Sequence, residues 1–411
     1  MFNKTFKNVI IVGQGYVGLP LSVNAAKSGY NVYGFDTSIE KVEQLKKGHT
    51  DSPDITKSDL LRLQKKGKIK FTSTIPKLNK PPIFVIAVPT PLNSNRKPDL
   101  SMLISACELV ATVIVNNSIV INESTSYVGT LRNLIKPTIE KLSSAKDIMY
   151  AVAPERIDPG NTSWGMRNTP RVMAGLDDTA VRIAVKFYSK FCNQIHIVSK
   201  PEVAEAAKLF ENTFRQVNIA LVNELSNIAD SIGFSTHETI KAASTKPFGF
   251  MPFYPSIGVG GHCIPVDPSY LAFSAESVGV EPKFINLANL TNSSMPKIIA
   301  ERIKFILNGS LRGKKIQIAG ITYKPNISDI RESPALDLIH ELKLLGGSIS
   351  WHDPFVTKYD DQQSSELNSE IDLGLIVTPH DLIDFSIWKK SGIKVLDLSA
   401  NSVNYGWPKF F

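Results

Sequence analysis

Of the chain's three cysteines one stands apart. Cys263 lies in Gly258-Val-Gly260-Gly261-His262-Cys263-Ile-Pro265-Val-Asp267-Pro268, where glycines let backbone N–H groups approach closely and prolines fix the exit. A thiol in such a loop is a candidate nucleophile, because amide dipoles and a neighbouring cation favour the thiolate. Cys107 and Cys192 instead sit among apolar neighbours at helical spacing, the pattern of core cysteines. His262 beside Cys263 makes no zinc site, since no second Cys/His pair stands at metal spacing, and no metal is expected. Lys208 and Asn212 are four residues apart and share a helix face, so an ammonium and a carboxamide can donate together to an alkoxide. An isolated Lys-x-x-x-Asn is also the pattern of a solvated face. Glu155, in Pro154-Glu155-Arg156-Ile-Asp158-Pro159-Gly160, follows a buried-strand pattern at the carboxyl edge of a sheet, where doubly wound folds place ligands. Its alternative is an ion pair with Arg156 in a loop.

A second kind of chemistry is written at the start. Gly13-Gln-Gly15-Tyr16-Val17-Gly18 follows a strand and opens a helix, the context in which three glycines permit a tight turn and bring a pyrophosphate onto backbone N–H groups. Asp36 ends the next strand, 18 residues beyond Gly18, where its carboxylate would accept from an adenosine ribose and repel a 2′-phosphate. No Arg follows it, so NAD is expected over NADP. A glycine turn holding another nucleotide, or none, is the alternative.

These groups need elements to hold them. Asn8–Val12, Asn31–Phe35, Ile83–Val88, Ser118–Asn122, Ile148–Ala153 and Gln194–Val198 read as strands, with Gly18–Ser28 as a helix between the first two. Strand, helix, strand implies a parallel sheet with right-handed crossovers. Glu202–Gly233 reads as one long helix, with Val203, Ala207, Phe210, Phe214, Val217 and Leu221 three and four apart; Tyr270–Val278 and Ile285–Leu307 are helical too. Lys315–Ala319, Ser348–Trp351, Asp372–Val377 and Val395–Leu398 restore the α/β pattern, without a glycine-rich loop after Ala319. The fold expected is therefore α/β: two Rossmann-like doubly wound parallel-sheet domains joined by a long central helix. The divisions are 1–199 for the cofactor, 200–309 for the connector and Cys263 loop, and 310–411 for a second ligand.

Composition narrows the class. The 411 residues carry 46 Lys and Arg against 38 Asp and Glu, a net +8 spread without basic runs, which fits anionic small ligands and not nucleic acid. Three cysteines make no disulfide framework, no run suits a secretion signal or a membrane span, and a reducing cytoplasm is expected.

In register, the motifs Gly13-x-Gly15-x-x-Gly18, Val88-Pro-Thr90-Pro91, Glu123-Ser-Thr125, Pro154-Glu155, Lys208-x-x-x-Asn212, Gly260-Gly261-His-Cys263-x-Pro-x-Asp267, Tyr323-Lys324-Pro and Asp329-x-Arg331-x-Ser333-Pro-Ala335 resemble the nucleotide-sugar 6-dehydrogenases, the UDP-glucose/GDP-mannose dehydrogenase family. The resemblance covers essentially the whole chain. It implies a four-electron oxidation of a sugar C6 alcohol to a carboxylate, with two NAD molecules reduced in turn. Cys263 would form a thiohemiacetal and then a thioester, Lys208 and Asn212 would stabilise the oxyanions, and Glu155 would activate the hydrolytic water. Asp267 would orient Lys208 or a water. Gly13, Gly15, Tyr16, Val17, Gly18, Asp36, Thr90, Thr125 and Arg331 would lie at the cofactor. Glu155, Arg156, Lys208, Asn212, Gly260 and Lys324 would meet the UDP-sugar.

His262 and Val266, where UDP-glucose enzymes tend to carry Ser and Lys, resemble the N-acetylhexosamine branch. The run Pro154 to Asn161 resembles the UDP-N-acetylglucosamine or UDP-N-acetylgalactosamine enzymes more than the UDP-N-acetylmannosamine ones. UDP-glucose, UDP-N-acetylgalactosamine and UDP-N-acetylmannosamine stay open as substrates, as do a two-electron hydroxyacid dehydrogenase and a non-catalytic NAD-binding scaffold. Family members pair through the connector, so a homodimer supplying precursors for surface polysaccharide, capsule or O-antigen, is the expectation.

Overall fold

The computed structural model describes residues 6–50, 52, 55–157, 163–261, 264–401 and 403–411. His262, Cys263 and the run 158–162 therefore lie outside the described residues. The chain divides into two compact units, one comprising residues up to Glu211 with Ser269–Val278, the other Asn212–Pro268 with Gly279–Phe411.

In chain order the first unit holds β1 (Asn8–Val12), α1 (Gly18–Lys27), β2 (Asn31–Phe35), α2 (Ile39–Lys46), α3 (Lys57–Lys65), β3 (Ile69–Thr72), β4 (Ile83–Ile86), α4 (Ser101–Val113) and β5 (Ile119–Asn122). After a π-helical turn, Leu131–Ile135, come α5 (Lys136–Leu142), β6 (Met149–Val152), β7 (Arg171–Gly175), α6 (Asp178–Tyr188) and β8 (Ile195–Ile197). Among the described residues the strands form one eight-stranded sheet in the order β3-β2-β1-β4-β5-β6-β7-β8. Order reverses between β1 and β4, so the carboxyl ends of those two strands open the crevice in which doubly wound sheets take their ligands. Both faces are covered, which explains the unbroken apolar runs. Val9 and Ile11 pack with Leu19, Val42, Leu60 and Ala180 on one side, while Ile10 and Val12 pack with Leu103, Ile139 and Ala204 on the other.

In the first unit two strands escaped the sequence pattern. β3 alternates with exposed polar residues at an edge, and β7 opens on a charged side chain, Arg171, that is 4% exposed. β7 also runs antiparallel to β6, pairing Val152 with Ala174, so the sheet is parallel up to β6 and reverses there.

α7 (Pro201–Ile232) passes from the first unit into the second, followed by α8 (Thr236–Ala243), α9 (Asp267–Glu276) and α10 (Lys283–Ile306). The apolar stripe read along α7 is not its inward face: Val203, Phe210, Phe214 and Leu221 are 41%, 64%, 44% and 62% exposed. Its buried positions are largely small or polar, among them Ala204, Glu205, Lys208, Thr213, Gln216, Asn223 and Ser226. A helix that buries polar groups needs partners for them: Gln216 donates to Asn289 and Asn223 to Asn292, while Glu205 and Lys208 turn to the site.

β9 (Lys315–Ala319), α11 (Pro334–Leu344), β10 (Ser348–His352), the small hairpin β11 (Lys358–Tyr359) and β12 (Gln362–Gln363), β13 (Leu373–Ile376), α12 (Ser386–Ser391) and β14 (Val395–Asp397) complete the second unit. Its parallel sheet runs β10-β9-β13-β14. The first turn repeats that of the other unit in detail. Gly13 and Gly320 both have positive φ, +94° and +82°, and each donates its N–H at 2.8 Å to the neighbouring strand, to Phe35 and His352 respectively. The acid after that strand, Asp36 or Asp353, accepts from the amide of Gln14 or Ile321. In the second unit the acid is spent internally: Asp353 Oδ2 also meets Thr322 N and His380 Nε2 and is buried, so no carboxylate is left there for a ribose.

Candidate active site

The dinucleotide turn is built by sterics. A Cβ on Gly13 would stand 2.4 Å from the Ala87 carbonyl oxygen, and one on Gly18 would stand 1.9 Å from the Gly13 oxygen, so neither position admits a side chain. Around Gly15, by contrast, a Cβ would meet nothing within 4 Å, which leaves the middle of the turn open to a ligand as a pyrophosphate site requires. The intervening Gln14 is 2% exposed; its Nε2 donates to Ile11 and Gly13 carbonyls and its Oε1 accepts from Ser22, bracing the turn from beneath. Asp36 accepts from Gln14 N at 2.9 Å and Ser38 N at 3.0 Å, with Lys41 Nζ at 3.6 Å. Gly13→Ala adds both a positive-φ strain of about 1–2 kcal/mol and an overlap with backbone that cannot move aside. Calorimetric titration with NAD is expected to show an affinity loss above about tenfold, the equivalent of roughly 1.4 kcal/mol, with a lowered melting temperature.

Beyond β4, Ser124 Oγ takes the Val88 N–H at 2.8 Å and donates to the Val88 carbonyl at 2.9 Å, tying the Val88–Thr90 loop to the Glu123–Thr125 loop. Tyr270 on α9 donates to the Thr90 carbonyl. Thr125 Oγ1 accepts from Lys208 Nζ at 2.6 Å. Lys208 is only 8% exposed, so it does not lie on a solvated face.

Three residues earlier on α7, Glu205 accepts from Gly129 N at 2.6 Å and Leu131 N at 2.9 Å, so α7 grips the segment after Thr125 at two points. Burial pushes the Glu205 carboxyl up to about 7, against the pull of those two amides. The folded chain thus holds this proton more tightly than the unfolded chain, whose ordinary value is 4.5. The contribution to stability is fully present below about 4.5 and is lost as pH rises through about 7, a difference on the order of 3 kcal/mol. Urea unfolding at pH 5 and pH 8 should show wild type losing that much relative to Glu205→Gln, a comparison in which all other titrating groups cancel.

Glu155 hangs from the end of β6, is 9% exposed, and accepts from Ile157 N at 2.6 Å. Burial raises its carboxyl above the ordinary range, while Arg171, Lys208 and the Ile157 amide pull it back. A carboxylate of raised basicity in a cleft is suited to taking a proton from water. Arg156 makes no ion pair with it, turning instead to Glu211 at 2.6 Å and to the Pro170 carbonyl at 2.9 Å.

In the second unit Asn212 Nδ2 donates to Asp267 Oδ2 at 2.6 Å, and Asp267 is fully buried. The glycines leading to the Cys263 position close on Tyr323: a Cβ on Gly260 would lie 2.7 Å from the Tyr323 Cβ, and one on Gly261 would lie 2.8 Å from its ring. Gly261 N donates to the Arg331 carbonyl. The approach to the thiol loop, the Tyr323-Lys324 turn and Arg331 are therefore one packed assembly. Lys324 is half-buried, and Arg331 is held in bidentate fashion by Asp329 at 2.6–3.2 Å. The Ile321–Asn326 loop is locked by His380, whose Nδ1 accepts from Asn326 N at 2.8 Å. Neither Glu205 nor His380 carried a sequence signal, since each acts through contacts distant in the chain. Among the described residues no three His, Cys, Asp or Glu side chains gather as a metal site.

A glycine turn opening a Rossmann sheet, a buried Lys208–Thr125 pair beside a basic carboxylate, and a second α/β unit with no dinucleotide turn define a dehydrogenase that takes its cofactor in one domain and another ligand in the other. Three family models fix which one. Residues 7–192 match the NAD binding domain, 202–294 the central domain and 317–395 the UDP binding domain of the UDP-glucose/GDP-mannose dehydrogenase family. The chain belongs to that family and is an NAD-dependent nucleotide-sugar 6-dehydrogenase, which sets aside the hydroxyacid dehydrogenase and scaffold readings. It is 36% identical over 388 residues to protein CapL of Staphylococcus aureus, covering 91% of this chain and 90% of that one. It is 34% identical over 359 residues to the UDP-N-acetyl-D-glucosamine 6-dehydrogenase of Pseudomonas aeruginosa, covering 86% and 84%. The solved UDP-D-ManNAc dehydrogenase of Pyrococcus horikoshii superposes with a TM-score of 0.87 at 31% identity, covering 98% and 97% of the two chains.

Proposed function

We propose that the enzyme oxidises the C6 alcohol of a UDP-N-acetylhexosamine, UDP-N-acetylglucosamine foremost, to the uronate through a covalent intermediate on Cys263. The observation that carries the mechanism is the buried Lys208 ammonium on Thr125 with the buried, basic Glu155 facing it. The Gly13–Gly18 turn and Asp36, with Thr90, Thr125 and Arg331 as further contacts, would hold NAD, which when bound would supply the hydride acceptor for both oxidations. Lys208 and Asn212 take up the charge of the C6 oxygen as its proton leaves. The resulting aldehyde has no second hydride to give until it becomes tetrahedral, and the Cys263 thiolate makes it so by adding to C6. The second oxidation leaves a thioester. Glu155 draws a proton from water, the hydroxide adds to the carbonyl, the C–S bond breaks, and Cys263 leaves as the thiolate. The balance is one alcohol, one water and two NAD consumed, with one carboxylate, two NADH and three protons formed.

Asp267 holds the Asn212 carboxamide for this work, and Arg156, Gly260 and Lys324 meet the UDP-sugar. The division is 1–199, 200–309 and 310–411 for cofactor, connector and UDP-sugar. The exposed apolar stripe of α7, Val203, Phe210, Phe214 and Leu221, supports pairing of two copies through the connector. No helix among the described residues is long and apolar enough to cross a membrane, and we place the enzyme in the cytoplasm, feeding surface polysaccharide synthesis. The acetamido preference rests on the Gly260-Gly261-His262-Cys263-Ile-Pro-Val266-Asp267 run and on likeness to relatives named for N-acetylhexosamines. Purified enzyme, NAD and a panel of UDP-hexoses and UDP-N-acetylhexosamines test it. The highest kcat/KM is expected for UDP-N-acetylglucosamine, and preference for UDP-glucose would overturn the assignment.

A further inference from the structure

One buried charge cluster in the first unit has no part in the steps above. Arg171, the first residue of β7, pairs through Nη1 with Glu123 Oε1 at 2.8 Å, with the two side chains 4% and 0% exposed. The Tyr188 hydroxyl at the end of α6 donates to the same oxygen, and the guanidinium lies 4.8 Å from the Tyr188 ring centroid. Burying such a pair removes two charges from water, and an apolar trio of the same volume would commonly serve stability as well or better. Its geometry points elsewhere. The same Arg171 Nη1 donates to the Ala153 carbonyl at 3.2 Å, and Ala153 N in turn reaches the Asn122 carbonyl at 2.9 Å. Ala153 is the last tethered residue before Pro154-Glu155, so the guanidinium grips the strand end from which the Glu155 carboxylate hangs.

We propose that Arg171, held by Glu123 and Tyr188, is a positioning residue for thioester hydrolysis that fixes the Ala153–Glu155 strand end and sets the field around the Glu155 carboxylate. This rests on the reading of Glu155 as the base. The charged groups facing Glu155 are Arg171 from β7, Lys208 from α7 and Glu123 from the end of β5, with Cys192 and Tyr188 turned to the same cluster. Arg171 is the foremost of the charges keeping Glu155 ionised, and Glu123 opposes it. Arginine suits this place because its planar fork can serve a carboxylate and a carbonyl at once and stack on a ring, which lysine cannot.

The test separates tether from charge in the full-length enzyme. Single-turnover hydrolysis is followed from pH 5 to 9 beside the first NADH burst, which does not need Glu155. In Glu123→Gln/Arg171→Gln, which removes both charges of the pair, the acid limb of hydrolysis should move up, because Arg171 outweighs the Glu123 that opposes it, and the plateau should fall by about tenfold. The first burst should stay within about twofold of wild type, because only the hydrolytic geometry is touched. Arg171→Lys keeps the charge and loses the fork, so its limb should hold while its plateau falls. Should the double variant fail to fold, Arg171→Lys decides alone: a wild-type plateau overturns the proposal, as does a folded double variant with limb and plateau unchanged. Glu155→Gln separates the two ideas. Slow hydrolysis in that variant alone leaves Glu155 as the base and removes Arg171, whereas wild-type hydrolysis in Glu155→Gln removes both.

Discussion

Cys263→Ala is expected to bind NAD and UDP-sugar as wild type does and to form no measurable uronate. The loss should be on the order of 10⁴–10⁶-fold, as when a covalent nucleophile is removed from an enzyme whose remaining groups are intact. On the proposed route NAD meets the Gly13–Gly18 turn and the UDP-sugar meets Gly260 and Lys324, so the substitution removes the nucleophile and leaves those groups in place. On that route the thiol is needed once an aldehyde exists, because an unhydrated aldehyde lacks the tetrahedral carbon that a second hydride must leave. Cys263→Ser should be nearly as inactive, since an alkoxide is neither formed nor expelled as readily as a thiolate. Product assay by anion-exchange chromatography decides it: uronate at the wild-type rate from Cys263→Ala would end the mechanism.

Lys208→Met should lower kcat by about 10²–10³-fold with a much smaller change in KM, the effect of deleting one donor aimed at a developing oxyanion, about 3–4 kcal/mol. Methionine conserves most of the stem volume, so Leu209 and Ala204 keep their packing, while Thr125 Oγ1 loses the partner it holds at 2.6 Å. A second effect accompanies the first. Lys208 is one of the cations holding the Glu155 carboxyl down, so without it Glu155 titrates higher and the acid limb of kcat moves upward in pH. Steady-state kinetics across pH report both together. A solvated lysine would show neither, and a variant with wild-type kcat would place the ammonium away from the reacting oxygen.

The glycine turn, the apolar strands and the long helix were legible because each is a local pattern: three glycines after Val12, Val9 to Val12 without a polar break, and 32 residues from Pro201 to Ile232 without an internal proline or glycine. The Lys208-x-x-x-Asn212 spacing was legible for the same reason. What stayed hidden is whatever depends on partners far along the chain. Arg171 at a strand start looks like a loop residue until Glu123, 48 residues earlier, neutralises it. The α7 stripe was legible as a stripe, but which way it faces was not: a helix whose inward groups are Glu205, Lys208, Gln216 and Asn223 inverts the usual rule and turns Phe210 and Leu221 outward. In the second unit the hydrogen bonds of Asp353 with Ile321, Thr322 and His380 show that the Rossmann turn has been closed there, which no local pattern reports.

The proposed function requires that one sugar give up four electrons without leaving the enzyme. Measuring NADH formed per UDP-N-acetylglucosamine consumed tests it most directly: the account predicts two, with uronate as the product, and a value of one with free aldehyde accumulating would contradict it.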